Sequence, residues 1–469
     1  MLKSTATARI LDVAQPLNHG ILRESARRGQ SVKVFISYSN KDKAAASRIS
    51  EAIKSLGHDV VADPANIRAG SNAFESLSAE LETADVIVPV ISRNLLSSAA
   101  AQKELSSLAL KALSKPGVVI LPVRIDESIV PGYLASSVYL DISDVDADIE
   151  FFKSSFQAHT TVTDEARRAT TKALHVTNLT QALRLGRLTL VCGAGASIEA
   201  GIPVWGDLLG KLLETMMERI SQSYSMNLGR KAAAEFQKRH HESALILGKY
   251  LKNNLGRDFA SHTRDALYAA NPITSPLIKS IVSLARPQRD GRPLDSIITF
   301  NFDGLIEENL TASSIANRPI SSEAVKHNPS ELPIYHVHGY LPRKGKIQSD
   351  ADLVFSEDAY HSQFIDPFSW SNLIQLNKLT HNTCLFVGIS LTDPNMRRLL
   401  DVAWRKNSSR ALSHYIVKKA PRSSGEDVTD QLTMLLEEQD ANALGLNVIW
   451  IDEFAELPRI LEQIAAERT

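Results

Sequence analysis

Leu188-Thr-Leu-Val-Cys-Gly-Ala-Gly-Ala-Ser-Ile-Glu-Ala-Gly-Ile-Pro-Val-Trp205 is the stretch around which the remaining sequence arranges itself. Leu188 to Val191 has the pattern of a short buried strand and runs directly into Gly193-Ala194-Gly195. Glycines at such a turn let main-chain N–H groups come close to a phosphate, and a helix beginning near Ala196 would aim its positive end at the same place. The expected ligand is a phosphate-bearing nucleotide. Gly-x-Gly after a strand also occurs as a plain strand-to-helix connection. Here Ser197 and Gly201-Ile202-Pro203 extend it into a longer and more specific pattern.

Further along, three more strand-like runs end in polar residues. Ser296-Ile-Ile-Thr299-Phe300 delivers Asn301 and Asp303, Ile334-Tyr-His336-Val delivers His338 and Gly339, and Leu385-Phe-Val-Gly388 delivers Ser390, Asp393 and Asn395. In open parallel α/β sheets ligands bind beyond the carboxyl ends of the strands. An Asn amide there can hold a ribose hydroxyl or an attacking water in line, and an Asp can bind a ribose hydroxyl or support the loop. Asn-x-Asp also serves as a turn or helix cap. A histidine, with its near-neutral pKa, suits a general base. His336 shares the strand face of His338 but lacks the following glycine. Between the Leu188 stretch and the Ser296 run, Asp207 to Tyr268 is a long helical block, expected as a subdomain over the nucleotide site and able to act as a lid. His240-His241 inside it lacks metal-ligand spacing.

Gly193-Ala-Gly-Ala-Ser197 with Gly201-Ile-Pro203-x-Trp205 resembles the opening NAD-binding motif of the SIR2 (sirtuin-like) family. Thr299-Phe-Asn301-Phe-Asp303 is similar to its Thr-x-Asn-x-Asp segment, and His338-Gly339 to its His-Gly. Gly388-Ile-Ser390-Leu-Thr-Asp393-Pro-Asn395 resembles the Gly-x-Ser-x-x-Asp-x-Asn run of the bacterial, defence-associated branch. The resemblance implies a Rossmann-like domain that takes NAD as substrate. Gly193, Ala194, Gly195, Ser197, Gly201, Pro203, Thr299, Gly388, Ser390, Asp393 and Asn395 would bind it, and His338, Asn301 and Asp303 would act on it. Protein-deacylating sirtuins hold a structural zinc on two Cys-x-x-Cys pairs, which Cys192 and Cys384 cannot supply, and Phe300 stands where they usually have Gln. Hydrolysis to nicotinamide and ADP-ribose, without a metal, is favoured over transfer to a protein.

The first part of the chain alternates short apolar strands with helical segments: strands at Val32–Ser37, Val60–Ala62, Asp85–Ser92 and Val118–Val123, helices at Lys41–Leu56, Phe74–Ala84 and Ala99–Leu113. Such alternation predicts a parallel sheet covered on both faces. Phe35-Ile-Ser-Tyr-Ser39 with Asp42, then Asp63, Arg68-Ala-Gly70 and Asp85-Val-Ile-Val-x-Val-Ile-Ser92, resemble a TIR domain, which implies a flavodoxin-like fold. Catalytic TIR domains carry a glutamate within Trp-Cys-x-x-Glu on the third helix. Glu104 keeps that glutamate, while Ala100-Ala101 replaces the Trp-Cys. Its carboxylate would stabilise positive charge developing on the ribose, or else it is a solvated helix residue.

These readings divide the chain into an N-terminal lead-in (1–30), a TIR domain (31–150), a helical linker (151–185) and a SIR2-like NAD-binding domain (186–469) with a helical subdomain at 207–270. The 469 residues are 43% hydrophobic and 22% charged with net charge −1, which implies no bulk attraction to nucleic acid or anionic membrane. Two cysteines fit a reducing cytoplasm, and no apolar run is long enough for a membrane span. Taken together, the resemblances imply an NAD+ glycohydrolase of anti-phage defence. It would work as a homo-oligomer assembled through TIR contacts and answer to a phage-derived or host trigger. Two rivals differ in class: a TIR enzyme with a nucleotide-sensing SIR2-like domain, and a non-catalytic nucleotide-sensing scaffold.

Overall fold

The computed structural model describes residues 31–60, 83–97, 118–158, 164–224, 229–240, 244–286, 294–347, 353–407, 413–421 and 428–466, with short gaps inside 118–158 and 294–347. Glu104, the lead-in, Asp63, Arg68-Ala-Gly70 and most of the helices expected at 74–84 and 99–113 lie outside the described residues. The chain forms two compact units, residues 1–127 with 138–164, and residues 128–137 with 165–469.

In the first unit six parallel strands, β1 (Lys33–Ser37), β2 (Asp59–Val60), β3 (Val86–Ile91), β4 (Val119–Ile120), β5 (Val123–Arg124) and β6 (Leu140–Asp141), take the order β2-β1-β3-β5-β6, with β4 also on β3. β4 and β5 lie end to end along β3, pairing Val86 with Val119 and Val90 with Val123. Pro122 between them has no N–H to donate, so one strand position is broken in two. Counted as one, the order is the flavodoxin-like 2-1-3-4-5. β3 is buried along its whole length, as a central parallel strand must be. The Lys43–Ser55 helix buries Ala46, Ile49, Ala52 and Ile53 against the sheet, and Phe152 and Phe156 of the Ile149–Ala158 helix enter the same core. At the carboxyl ends of β1 and β3, Ser92 and Asn94 both donate to the buried Asp42 carboxylate.

The second unit is built on seven parallel strands: β7 (Leu188–Cys192), β8 (Ser296–Thr299), β9 (Asn317–Ile320), β10 (Leu332–His336), β11 (Thr383–Val387), β12 (His414–Lys419) and β13 (Leu446–Ile451). Their order is β13-β12-β11-β7-β8-β10-β9. From β7 the chain first builds outward through β8 to β10 and β9, then returns to lay β11, β12 and β13 on the other side. The order therefore reverses between β7 and β11, and the doubly wound sheet has its ligand crevice at that switch point. Leu188, Leu190 and Cys192 point into one apolar layer with Ile281, Leu284 and Leu461, while Val191 joins Phe386, Leu399 and Val448 in the other. This period-two split is what a strand buried on both faces requires. The Asp164–Arg184 helix, whose Val176, Leu179 and Leu183 enter the first layer, leads directly into β7. The segment expected as a linker is thus shared out: its first helix packs in the first unit and its second in the core of the second unit.

Four helices, Trp205–Tyr224, Arg230–Arg239, Ala244–Leu255 and Phe259–Tyr268, form the helical block. Their apolar faces close over Phe302, Leu305, Leu341 and Phe355. Phe302 and Leu305 flank Asp303, so the block is fixed to the loop beyond β8. Tyr268 adds two hydrogen bonds there, accepting from Gly304 N–H and donating to Leu341 carbonyl.

Candidate functional site

Parallel pairing puts the four central strand ends at one level. Val387 of β11 is opposite Cys192 of β7, Cys192 opposite Thr299 of β8, and Thr299 opposite His336 of β10. The polar residues expected at the site all follow these four ends, so the sheet itself brings them together.

The first turn differs from the sequence expectation. In place of a helix beginning near Ala196, the chain makes two short 3-10 turns, Ala194–Ala196 and Ile198–Ala200, and the long helix starts only at Trp205. Gly201, at φ +105°, swings the backbone through the left-handed region, and Pro203 follows it. The glycines here serve a contact between two loops. A Cβ on Gly193 would lie 2.5 Å from Gly388 carbonyl oxygen, one on Gly195 2.7 Å from Gly388 Cα, and one on Gly388 2.6 Å from Ala196 nitrogen. Gly193 N–H donates to Val387 carbonyl and Gly195 N–H to Gly388 carbonyl. Three glycines therefore clasp the β7 and β11 loops backbone to backbone across the switch point. Ala196 and Ser197 N–H groups are also bonded, which leaves the exposed Ala194 N–H as the open amide of the turn among the described residues.

Behind the turn lies a polar knot. Asn301 Nδ2 donates to Gly193 carbonyl (3.1 Å) and Ser197 Oγ (3.2 Å), and Ser197 Oγ donates to Asp303 Oδ1 (3.2 Å). Asp303 Oδ1 also accepts Leu305 N–H, opening the Leu305–Ala312 helix. Burial pushes the Asp303 carboxyl up to about 6, helped by the nearby Glu307 and opposed by the Leu305 and Ser197 hydrogen bonds and by His336. Thr299 Oγ1 accepts Asn301 N–H. With its NH2 group spent on the fold, Asn301 offers its half-buried side-chain oxygen to a ligand.

His338 lies beyond β10, where Gly339 at φ +106° lets the chain turn away. Its ring stands edge-on to Phe300, centroids 4.8 Å apart, and its Nε2 is 3.8 Å from Asp393 Oδ2. Burial lowers the His338 pKa while Asp393 partly restores it. Asp393 is itself held: Oδ1 accepts Met396 N–H, capping the Pro394–Lys406 helix, and Tyr360 hydroxyl. The arrangement of Asp393, His338 and Phe300 joins loops from β11, β10 and β8. Sequence reasoning counted Asp393 among the NAD-binding residues and missed its approach to His338; a histidine–carboxylate pairing between residues so far apart in the chain has no local signal. Phe300 and Tyr360 were likewise not anticipated as supports of that pair.

Asn395 is buried with both ends of its amide engaged, donating to Asn372 Oδ1 and accepting from Arg398. It frames the Asp393 loop. Ser390 is exposed and hydrogen-bonded to Thr392. Gly201 and Pro203 shape the exit from the first turn and carry no polar side chain. His240 packs its ring against Phe236 and edge-on to Tyr250, and among the described residues no group of three or more His, Cys, Asp or Glu could hold a metal ion.

A cavity of about 460 Å3 opens at the opposite end of the sheet, lined by Arg187, Asn382, Lys406, His414 and Gly445 among others. Several helices end there, and cations at helix carboxyl ends neutralise the carbonyl dipoles. It is remote from His338 and Asn301 by the whole length of the strands, and the chemistry-bearing residues lie at the other end.

Comparison with known proteins fits this geometry. Residues 34–154 match the TIR domain family and residues 295–443 the SIR2-like domain family. The NAD(+) hydrolase ThsA of Enterococcus faecium is 23% identical over 314 residues, covering 62% of this chain and 58% of the relative. The NAD(+) hydrolase ThsA of Cytobacillus dafuensis is 20% identical over 319 residues, covering 65% and 58%. The chain thus spans 58% of the length of both curated relatives. Among solved structures, the TIR domain of the Toll-related receptor TRR-2 of Hydra magnipapillata aligns over 28% of this chain and all of its own, at 20% identity and a TM-score of 0.24. With each family matched on its own parallel α/β unit, the chain is a TIR domain followed by a SIR2-like domain.

Proposed function

We propose that the SIR2-like domain hydrolyses NAD+ to nicotinamide and ADP-ribose, and that its activation depletes NAD in anti-phage defence. The observation that carries this reading is the convergence of Asn301, Asp303, His338 and Asp393 at the carboxyl ends of β8, β10 and β11 beside the clasped glycine turn. The curated relatives named as NAD(+) hydrolases support it.

In this reading the diphosphate rests over the Gly193–Ser197 turn at the Ala194 amide. Asn301 presents its side-chain oxygen to the nicotinamide ribose or to the attacking water, and the buried Asp303 supports that loop through Ser197. Breaking the nicotinamide–ribose bond builds positive charge on the ribose, and the Asn301 side-chain oxygen turns the negative end of its dipole toward that charge. His338, kept neutral by burial, accepts a proton from the water as it attacks, and Asp393 stabilises the imidazolium that results. Phe300 holds the ring in place. No metal takes part in these steps. The helical block, fixed through Phe302 and Leu305, excludes bulk water from the same side.

The domain limits read from the sequence, 31–150 and 186–469, are the functional units of this proposal, with 207–270 as cover. We assign the TIR domain the regulatory part, self-association in response to a trigger in the cytoplasm. The test is nicotinamide release from NAD+ by the full chain, wild type against Glu104→Gln, Asn301→Ala and His338→Ala, with and without phage infection. Loss in the Asn301 and His338 variants alone supports the reading. Loss only in Glu104→Gln transfers catalysis to the TIR domain, and tight NAD+ binding with no nicotinamide release under either condition makes the chain a sensing scaffold.

A further inference from the structure

We propose that Glu307 and His336 are positioning residues that set the catalytic Asn301 through its main chain. The proposal rests on the reading of Asn301 as part of the NAD+ site.

His336 ends β10 and its side chain is wholly buried. Its Nδ1 lies 3.0 Å from Asn301 carbonyl oxygen. A carbonyl only accepts, so Nδ1 carries a proton. Its Nε2 lies 2.6 Å from Glu307 Oε1, a separation at which one proton must stand between nitrogen and oxygen. The pair therefore shares a single proton on the Glu307 side, and wherever that proton sits, Nδ1–H still points at Asn301. The Tyr340 ring, 4.3 Å away, closes over the imidazole.

Asn301 is consequently gripped from both ends of its peptide units: its N–H by Thr299 Oγ1 and its carbonyl by His336. Its side-chain NH2 is committed to Gly193 carbonyl and Ser197 Oγ. Every direction of Asn301 is fixed except that of its side-chain oxygen. Glu307 in turn comes from the first turn of the helix whose leading Leu305 N–H is accepted by Asp303, and its second oxygen is buried without a hydrogen-bond partner among the described residues. Buried ionisable pairs are poor glue, because well-packed apolar residues often serve stability as well or better. What this pair does that a leucine and a phenylalanine cannot is aim a carbonyl, and with it the next strand exit.

The test uses the full chain with Glu307→Ala, Glu307→Gln and Glu307→Asp, read by steady-state nicotinamide release and by hydrogen exchange of the peptide covering residues 300–304. In Glu307→Gln the amide NH2 donates to a neutral His336 Nε2, so Nδ1–H stays on Asn301. That variant should keep kcat within about fivefold and show native exchange. Glu307→Ala releases the ring, and a displacement of about 1 Å at Asn301 should lower kcat about 10²-fold with KM little changed, and speed exchange at 300–304. Glu307→Asp draws the carboxylate back by one methylene, should fall between the two, and stands in if Glu307→Ala does not fold. Equal loss in Gln and Ala variants, or native exchange at 300–304 in both Ala and Asp variants, overturns the proposal. If the wild type releases no nicotinamide either with or without phage infection, the hydrolase reading fails while the exchange measurement still decides the positioning role.

Discussion

Gly388→Ala tests the clasp at the switch point. Gly388 has φ +64°, where an L side chain costs about 1–2 kcal/mol. A Cβ there would also lie 2.6 Å from Ala196 nitrogen and 2.8 Å from Gly195 Cα, both backbone atoms that cannot rotate away. Overpacking of this kind costs about 1–3 kcal/mol more. Gly256 supplies the control in the same unit: φ +57°, with nothing within 4 Å of its added Cβ. Gly256→Ala carries only the left-handed cost, and the loss of unfolded-chain freedom is common to both variants. All four tryptophans, Trp205, Trp370, Trp404 and Trp450, belong to the second unit, so intrinsic fluorescence in urea reports on it without interference from the first. Gly388→Ala should be less stable than Gly256→Ala by about 1–3 kcal/mol. It should also weaken NAD+ binding, because relief of the clash separates the two loops that form the crevice. Equal stability of the two variants would refute the backbone-to-backbone clasp, whatever the activity.

Three further outcomes follow from the electrostatics. Asn301→Ala and His338→Ala should each lower nicotinamide release by about 10²–10⁴-fold with an unchanged circular dichroism spectrum. His338 acts as a base in its neutral form, so activity falls as pH drops through its pKa; burial lowers that pKa and Asp393 raises it. Asp393→Asn, which keeps the helix cap, should therefore move the acid limb of the kcat/KM profile to lower pH, and a shift to higher pH would contradict the geometry. Asp303 goes from 3.8 in the unfolded chain to about 6 in the fold, so its contribution is full below pH 3.8 and is lost as pH rises through about 6. At about 1.4 kcal/mol per pH unit this is a loss of roughly 3 kcal/mol. Asp303→Asn should flatten the urea stability profile between pH 4 and 7, and an unchanged slope would show that Asp303 is not the titrating group.

The architecture was legible because the sequence signals that set it are local. Leu188-Thr-Leu-Val, Ser296-Ile-Ile-Thr and Leu385-Phe-Val are short apolar runs ended by glycine or polar residues, and each is a strand whose carboxyl end points at the site. The level at which those ends meet needs no further information, since parallel pairing with Cys192 opposite both Thr299 and Val387 follows once the strands are neighbours. Asn301, Asp303 and His338 are thus brought together by strand position alone.

Pairings across loops were not legible, and they change what individual residues do. Gly193 and Gly195 looked like a phosphate cradle because a glycine's missing side chain is visible in sequence while its neighbour is not. Their neighbour is Gly388, nearly 200 residues later, and meeting its loop takes up the Gly193 and Gly195 amides that a phosphate would have used. His336 looked inferior to His338 for want of a following glycine, yet its ring is the one fixed by hydrogen bonds at both nitrogens. The two histidines sit two residues apart, one ending β10 and one in the turn beyond it, and divide the work by depth. The inner ring, sealed from water and tied to Glu307, is suited to holding a shape, and the outer one, faced by a single carboxylate at 3.8 Å, keeps the freedom a proton carrier needs. A strand that turns sharply at Gly339 is what lets one short segment supply both.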